Sequence, residues 1–284
     1  MERRLEHSVG YDVSLQAGGK LRFDARPAFR NPAESLSKRR TGNALILFVL
    51  VLLTFGCDRE LFTDDFESYS VGSMPAAPWQ KTGEGTAIVD DSRSVSGRKS
   101  VHFRSGEGYK DRSILSFSSP RVFPLKKNRY YGRMVMFVES ASPDGVHWTM
   151  LESSGKVPGK GISAEIRYGG QHSEQLMANY ETWGAKTDCW QHSTVKIPEQ
   201  RWFSVSWMLD GGGNEMKIWI DNNLIDEITV KGRGQGCLGN DLNGDWLFPV
   251  FENVQIGWVD YQMNGGERNI WIDDFAISSR PIKR

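Results

Sequence analysis

From about residue 61 onward, apolar and polar residues alternate with a period of two, and no long amphipathic helical pattern interrupts them. The densest stretch runs from Ser206 to Ile277. Val205 to Leu209 alternates into Asp210-Gly-Gly-Gly-Asn214. Met216 to Asp221 then turns through Asn222-Asn223 into Leu224 to Val230, and two alternating runs about residues that tolerate positive φ predict a β-hairpin. After a Gly- and Asn-rich loop, Val254 to Tyr261 and Ile270 to Ile277 alternate again. Upstream, strands are expected at Phe62 to Tyr69, Ala87 to Asp90, Lys99 to Arg104, Tyr130 to Glu139, His147 to Glu152, Ile162 to Tyr168, Leu176 to Glu181, Thr194 to Ile197 and Trp202. The clearest is Ile162 to Tyr168, where Ile162, Ala164, Ile166 and Tyr168 share one face and Ser163, Glu165 and Arg167 the other. About ten to twelve strands without a long helix predict an all-β fold, a two-sheet antiparallel sandwich whose curved polar face forms a groove.

Composition narrows the function. The 284 residues carry no net formal charge, but residues 1–40 hold nine Lys/Arg against five Asp/Glu, leaving 26 against 30 beyond them. The folded part is mildly acidic and gives no support to nucleic-acid binding. No dinucleotide or phosphate-loop pattern appears. Ten Trp and 30 Gly suit carbohydrate contact, although Trp also fills sandwich cores.

Residues 1–40 lack periodicity and are expected to be disordered or an upstream extension. Lys38-Arg39-Arg40 precedes the apolar run from Ala44 to Gly56, which is of signal-peptide length with positive charge on the correct side, so 41–57 is expected to be an export signal. Leu53-Thr-Phe-Gly-Cys57 resembles a bacterial lipobox. Lipidation of Cys57 would anchor the protein to a membrane, with Phe55 a departure from the pattern and an ordinary signal peptide the alternative. The folded domain then spans 61–282, in a cell-envelope or secreted protein. Setting Cys57 aside leaves Cys189 and Cys237, an even pair expected to be disulfide-bonded in an oxidising compartment.

The Glu-x-Asp-x-x-Glu strand motif of sandwich hydrolases is absent, and Asp273-Asp274, adjacent on a strand, are expected to point to opposite faces. Zinc is poorly supported, since His7, His102, His147, His172 and His192 show no His-x-x-x-His spacing. Calcium suits the acid-rich first strand (Asp64, Asp65, Glu67) and last strand (Asp273, Asp274) better, the alternative being acids at exposed edges.

Asp64-Asp-Phe-Glu67, His147 to Glu152, Asp188-Cys-Trp-Gln-His192, Asn214 to Asp221, Gly257-Trp-Val-Asp-Tyr-Gln262 and Ile270-Trp-Ile-Asp-Asp274 together resemble the polysaccharide-lyase-like family, which contains the fungal cellulose-induced secreted protein and relatives of glucuronan lyase. The resemblance spans roughly Leu61 to Ile282. It implies a concanavalin A-like β-jelly roll, a structural calcium near the chain ends held through Glu67 and Asp274, and a groove for acidic or plant-type polysaccharide.

The reaction it suggests is β-elimination from a uronic acid, which needs a cation for the carboxylate, a base for the C5 proton and an acid for the departing oxygen. Tyr261 and His147 match the family's groove residues. Arg167 is added from the strand alternation as the charge neutraliser, with Gln262, Asn179 and Trp258 as further substrate contacts. The same residues could serve structure alone, Tyr261 as a sheet-end aromatic, His147 as a loop residue and Arg167 as an ion-pair partner. The rival function is a non-catalytic, lectin-like module, and in either case a monomer is expected.

Overall fold

In the computed structural model, which describes residues 60–282, the period-two segments pair into two antiparallel sheets of nine strands each. One sheet runs, in order, Asn223–Leu224, Glu215–Ile220, Trp202–Asp210, Arg129–Val138, Arg268–Ser278, Ser100–Ser105 and Thr86–Asp90. Glu60–Asp64 adds to Arg268–Ser278, and Val230–Lys231 to Glu215–Ile220. The other runs Gly236–Asn240, Thr187–Lys196, Gln175–Trp183, Ser163–Gln171, Trp148–Lys156, Val254–Asp260, Ser113–Phe117 and Trp79–Thr82, with Val250–Phe251 added to Trp148–Lys156. This is the expected all-β jelly-roll sandwich. Part of the excess over the expected strand number is three two-residue pairings too short to show a period, and Trp79–Thr82, Ser113–Phe117 and Gly236–Asn240 are further short strands that the alternation did not mark. The readings of residues 1–40 and 41–57, Cys57 included, lie outside the described residues.

Alternation fills the space between the sheets. Ala164, Ile166 and Tyr168 from one strand, Leu176, Ala178 and Tyr180 from the next, and Val205, Trp207 and Leu209 from the opposite sheet are all buried in a single apolar cluster. Trp148 and Trp258 stack within it at 4.4 Å between ring centroids. Cys189 and Cys237 sit directly opposite each other on neighbouring strands and are joined by a disulfide.

Two local features depart from the expected pattern. The hairpin turns one residue earlier than expected, because Trp219 pairs with Leu224 and Ile220 with Asn223, leaving Asp221 and Asn222 at positive φ. Its return arm lasts two residues before a short 3₁₀ turn, Asp226–Ile228. The last long strand carries a β-bulge: its register with Arg129–Val138 shifts between Asp273 and Ala276, and Asp274 takes φ 49°. This corrects the opposite-faces expectation, since both carboxylates reach one loop. Asp273 accepts from the Val95 and Ser96 amides, and Asp274 from the Ser96 hydroxyl.

Candidate functional site

The polar residues of the second sheet line up in rows across its outer face. One row is Gln255, Glu152, Arg167, Asn179 and Trp190, each directly opposite the next. Beside it run Glu165, Glu181 and Asp188. On the other flank lie Val259, Thr149, Gly169, Met177 and His192. Strand parity puts these side chains on one face, and inter-strand register decides who meets whom.

Arg167 is the hub. Its Nε donates to Glu152 (3.0 Å), its Nη1 to Asn179 Oδ1 (3.0 Å) and Glu181 (2.6 Å), and its Nη2 to Glu165. The residue is 5% exposed. Burial works against its charge, but the neighbouring Tyr261, Glu152 and Glu181 outweigh burial and hold the guanidinium protonated. Asn179, 3% exposed, uses its amide to donate to Asp188 and to the Cys189 carbonyl. It therefore orients Arg167, and the expected direct sugar contact gives way to that role. Burial, reinforced by the Glu181 charge, raises the Asp188 carboxyl.

Tyr261 and His147 lie side by side. Their rings stack at 4.8 Å, the Tyr261 amide donates to the His147 carbonyl (2.9 Å), and the His147 amide donates to the side chain of exposed Gln262 (2.7 Å). The Tyr261 hydroxyl lies 3.2 Å from Thr149 Oγ1, and the Arg167 guanidinium 5.8 Å from the Tyr261 ring centroid. Both rings are half-buried. Loss of solvation, helped by the charge of Arg167, pushes His147 down to about 4. Burial raises the Tyr261 phenol and outweighs the opposing charge of Arg167. Near neutrality the pair consists of a neutral imidazole and a protonated phenol.

Two depressions flank this pair. One, of about 130 Å³, is lined by Tyr109, Arg112, Thr149, Glu152, Gln255 and Tyr261. The other, of about 370 Å³, includes His147, His172, Asn179, Asp188, Trp190 and His192.

Trp258 is not part of this surface. It is fully buried, with its indole N–H donating to Asp260 (2.9 Å) and Ser142 (3.1 Å), which corrects its assignment as a sugar contact. Next to it, a Cβ on Gly257 would lie 2.2 Å from the Ser113 carbonyl oxygen and 2.9 Å from the Phe103 ring. The absent side chain serves close packing against the neighbouring strand and against Phe103 of the opposite sheet. The sequence reading missed Glu152, Glu165 and Glu181 as partners of Arg167, and Tyr109, Arg112 and Thr149 as neighbours of Tyr261. The strand parity of Glu152, Glu165 and Glu181 was visible but their alignment across strands was not, while Tyr109 and Arg112 belong to the 3₁₀ turn Tyr109–Asp111 and its end, outside any period-two segment.

At the chain ends, Glu67 accepts from the Arg98 and Lys99 amides (2.7 Å each), which, led by Arg98, hold its carboxyl below the usual range. Asp274 accepts from Ser96 (2.7 Å) on the same loop. The Glu67 and Asp274 carboxylates and the Ser96 hydroxyl are oxygen donors of the kind a hard cation such as calcium takes, while the Glu67 and Tyr69 carbonyls accept from the Lys99 ammonium (2.8 Å each). Among the described residues no cluster of three or more His, Cys, Asp or Glu suits a metal, so such an ion would depend on the neutral oxygens.

Two antiparallel sheets packed face to face with almost no helix define the class of jelly-roll sandwich proteins. Within that class, the chain belongs to the polysaccharide-lyase-like family, matching its Cip1-like core domain over residues 65–280. Its fold is similar to that of the cellulose-induced protein Cip1, at 22% identity and TM-score 0.57, over 78% of this chain and 99% of that one. It is also similar to an endo-β-1,4-glucuronan lyase from the fungus Trichoderma reesei, at 14% identity and TM-score 0.51, over 78% of this chain and 96% of that one. A search of curated proteins returned no match.

Proposed function

We propose that the outer face of the second sheet binds a polysaccharide containing uronic acids and cleaves it by β-elimination. The observation that carries this reading is the stacked pair of a neutral His147 and a protonated Tyr261 beside a locked guanidinium. Neutral His147 takes the C5 proton. The C–H electron pair forms the C4–C5 double bond and expels the glycosidic oxygen from C4, and that oxygen takes the proton of Tyr261. The products are a new reducing end and an unsaturated uronate. Family membership and the glucuronan lyase likeness support the substrate class. Incubation with β-1,4-linked polyglucuronate, alginate and pectate, followed by ultraviolet absorbance of the unsaturated product, tests it. Tight binding of a polymer with no rise in absorbance would replace the enzyme with a lectin-like module. The three carboxylates on Arg167 favour that second reading, because they leave little of its charge for a substrate.

The acid limb of the rate profile gives a separate check. A histidine held down to about 4 stays in its basic form well below the ordinary 6.5, so the rate should stay level between pH 7 and 5 and fall near pH 4. A limb centred near pH 6.5 would place the base on another group.

The proposal includes a calcium ion at Glu67, Asp274 and Ser96. Ion binding to the folded state alone stabilises it by mass action, so a chelator should lower the melting temperature by several degrees and added calcium restore it. An unchanged melting temperature with no calcium found by elemental analysis would remove the site. Export is in keeping with the Cys189–Cys237 bond. Lipidation of Cys57 completes the proposal, and an unmodified Cys57 within an intact N-terminal peptide by mass spectrometry would eliminate it.

A further inference from the structure

Elimination needs a cation at the uronate carboxylate, and Arg167 is poorly placed to supply it. Four of its five N–H groups already have partners, and Glu152, Glu165 and Glu181 outnumber it three to one. A uronate carboxylate brought to this point would meet like charge with little free donor capacity to offset it. Arg112 differs on each count. It lines the same depression as Tyr261 and is half-buried, and it forms no ion pair with a carboxylate among the described residues. Its Nη1 donates to the Tyr109 carbonyl (2.8 Å), and its guanidinium lies 4.1 Å from the Tyr109 ring centroid. Tyr109 in turn stacks on Tyr261 at 5.8 Å. The side chain is thus held by stacking, with Nε and Nη2 free of described partners. Gly83 lets its stem pass, since a Cβ there would lie 2.4 Å from Arg112 Cγ. Two carboxylates line the depression, and both are turned to Arg167: Glu152 has its oxygens engaged by Arg167 and Gln255, and Glu165 accepts from Arg167 Nη2.

We propose that Arg112 receives the carboxylate of the uronate on which Tyr261 and His147 act, and so sets the preference for uronate over neutral sugar. The inference rests on the elimination reading above. A planar guanidinium with two free N–H edges suits a carboxylate, and its weak hydration lets it sit against an aromatic ring without a carboxylate of its own.

The test compares wild type, Arg112→Gln and Arg112→Lys on β-1,4-linked polyglucuronate and on the same polymer after carboxyl reduction. Binding is followed by calorimetry and cleavage by ultraviolet absorbance. Charged hydrogen bonds of this kind are worth enough that R112Q should bind polyglucuronate about 10- to 100-fold more weakly. R112Q should bind the carboxyl-reduced polymer as wild type does, and R112K should recover part of the loss. If wild type cleaves polyglucuronate and R112Q matches it in affinity and rate, the Arg112 assignment is wrong while the elimination reading stands. If wild type neither cleaves polyglucuronate nor prefers it to the reduced polymer, both fall together.

Discussion

Tyr261→Phe is expected to lower turnover of a uronate polymer by about 10²–10⁴-fold, the usual contribution of a positioned proton donor, while leaving its affinity nearly intact. The expectation follows from how Tyr261 is held. Its ring is fixed by His147 on one side, Tyr109 nearby and the Arg167 guanidinium beyond, and phenylalanine keeps all three contacts. What the substitution removes is the hydroxyl and its contact with Thr149 Oγ1. Thr149 is 2% exposed, so losing that partner costs stability of about 1 kcal/mol, which a melting curve separates from the kinetic effect. Because the phenol sits above its ordinary range through burial, it keeps its proton near neutrality, as the proposed role of acid requires. A Tyr261→Phe enzyme within a few-fold of wild type would assign the donor to another residue. A protein equally inactive with and without the hydroxyl, but unchanged in affinity, would support the lectin-like reading.

The fold was legible because a period of two is a local property of the chain. Ile166 and Tyr168 point inward and Glu165 and Arg167 outward, as their alternation requires. The same rule failed where a bulge broke parity. Asp273 and Asp274 were expected on opposite faces, but the φ of 49° at Asp274 turns both toward the Val95-Ser96 amides and hydroxyl. Trp258 shows a different limit, since an indole carries no mark of whether its flat face stacks on a sugar or on Trp148. The carboxylate ring around Arg167 was hidden for a third reason. Glu152, Glu165 and Glu181 belong to three strands, and bringing them onto one guanidinium depends on the register between strands, which no single segment encodes.

Breaking the Cys189–Cys237 bond should be the most damaging single covalent change in the domain. The bond closes a loop with a sequence separation of 48 residues, for which the chain-entropy model gives about 4 kcal/mol. For a domain of this size that corresponds to a fall of roughly 8–16 °C in melting temperature. The strand Gly236–Asn240, which carries Cys237, pairs with Thr187–Lys196 alone among the described strands, so few other bonds hold that edge. The effect should also reach the groove. The Cys189 carbonyl accepts from Asn179, and Asn179 accepts from Arg167, so loosening the edge strand disturbs the residue that orients the central guanidinium. A Cys189→Ala, Cys237→Ser double variant is the cleaner test, because Cys189 is fully buried and alanine leaves no unpaired hydroxyl there. It should melt well below wild type and bind polysaccharide more weakly, and reductant should reproduce both changes in the wild-type protein. A melting temperature unmoved by reductant, with two free thiols titrated, would show that the bond contributes nothing to stability and that the edge strand is held by its hydrogen bonds.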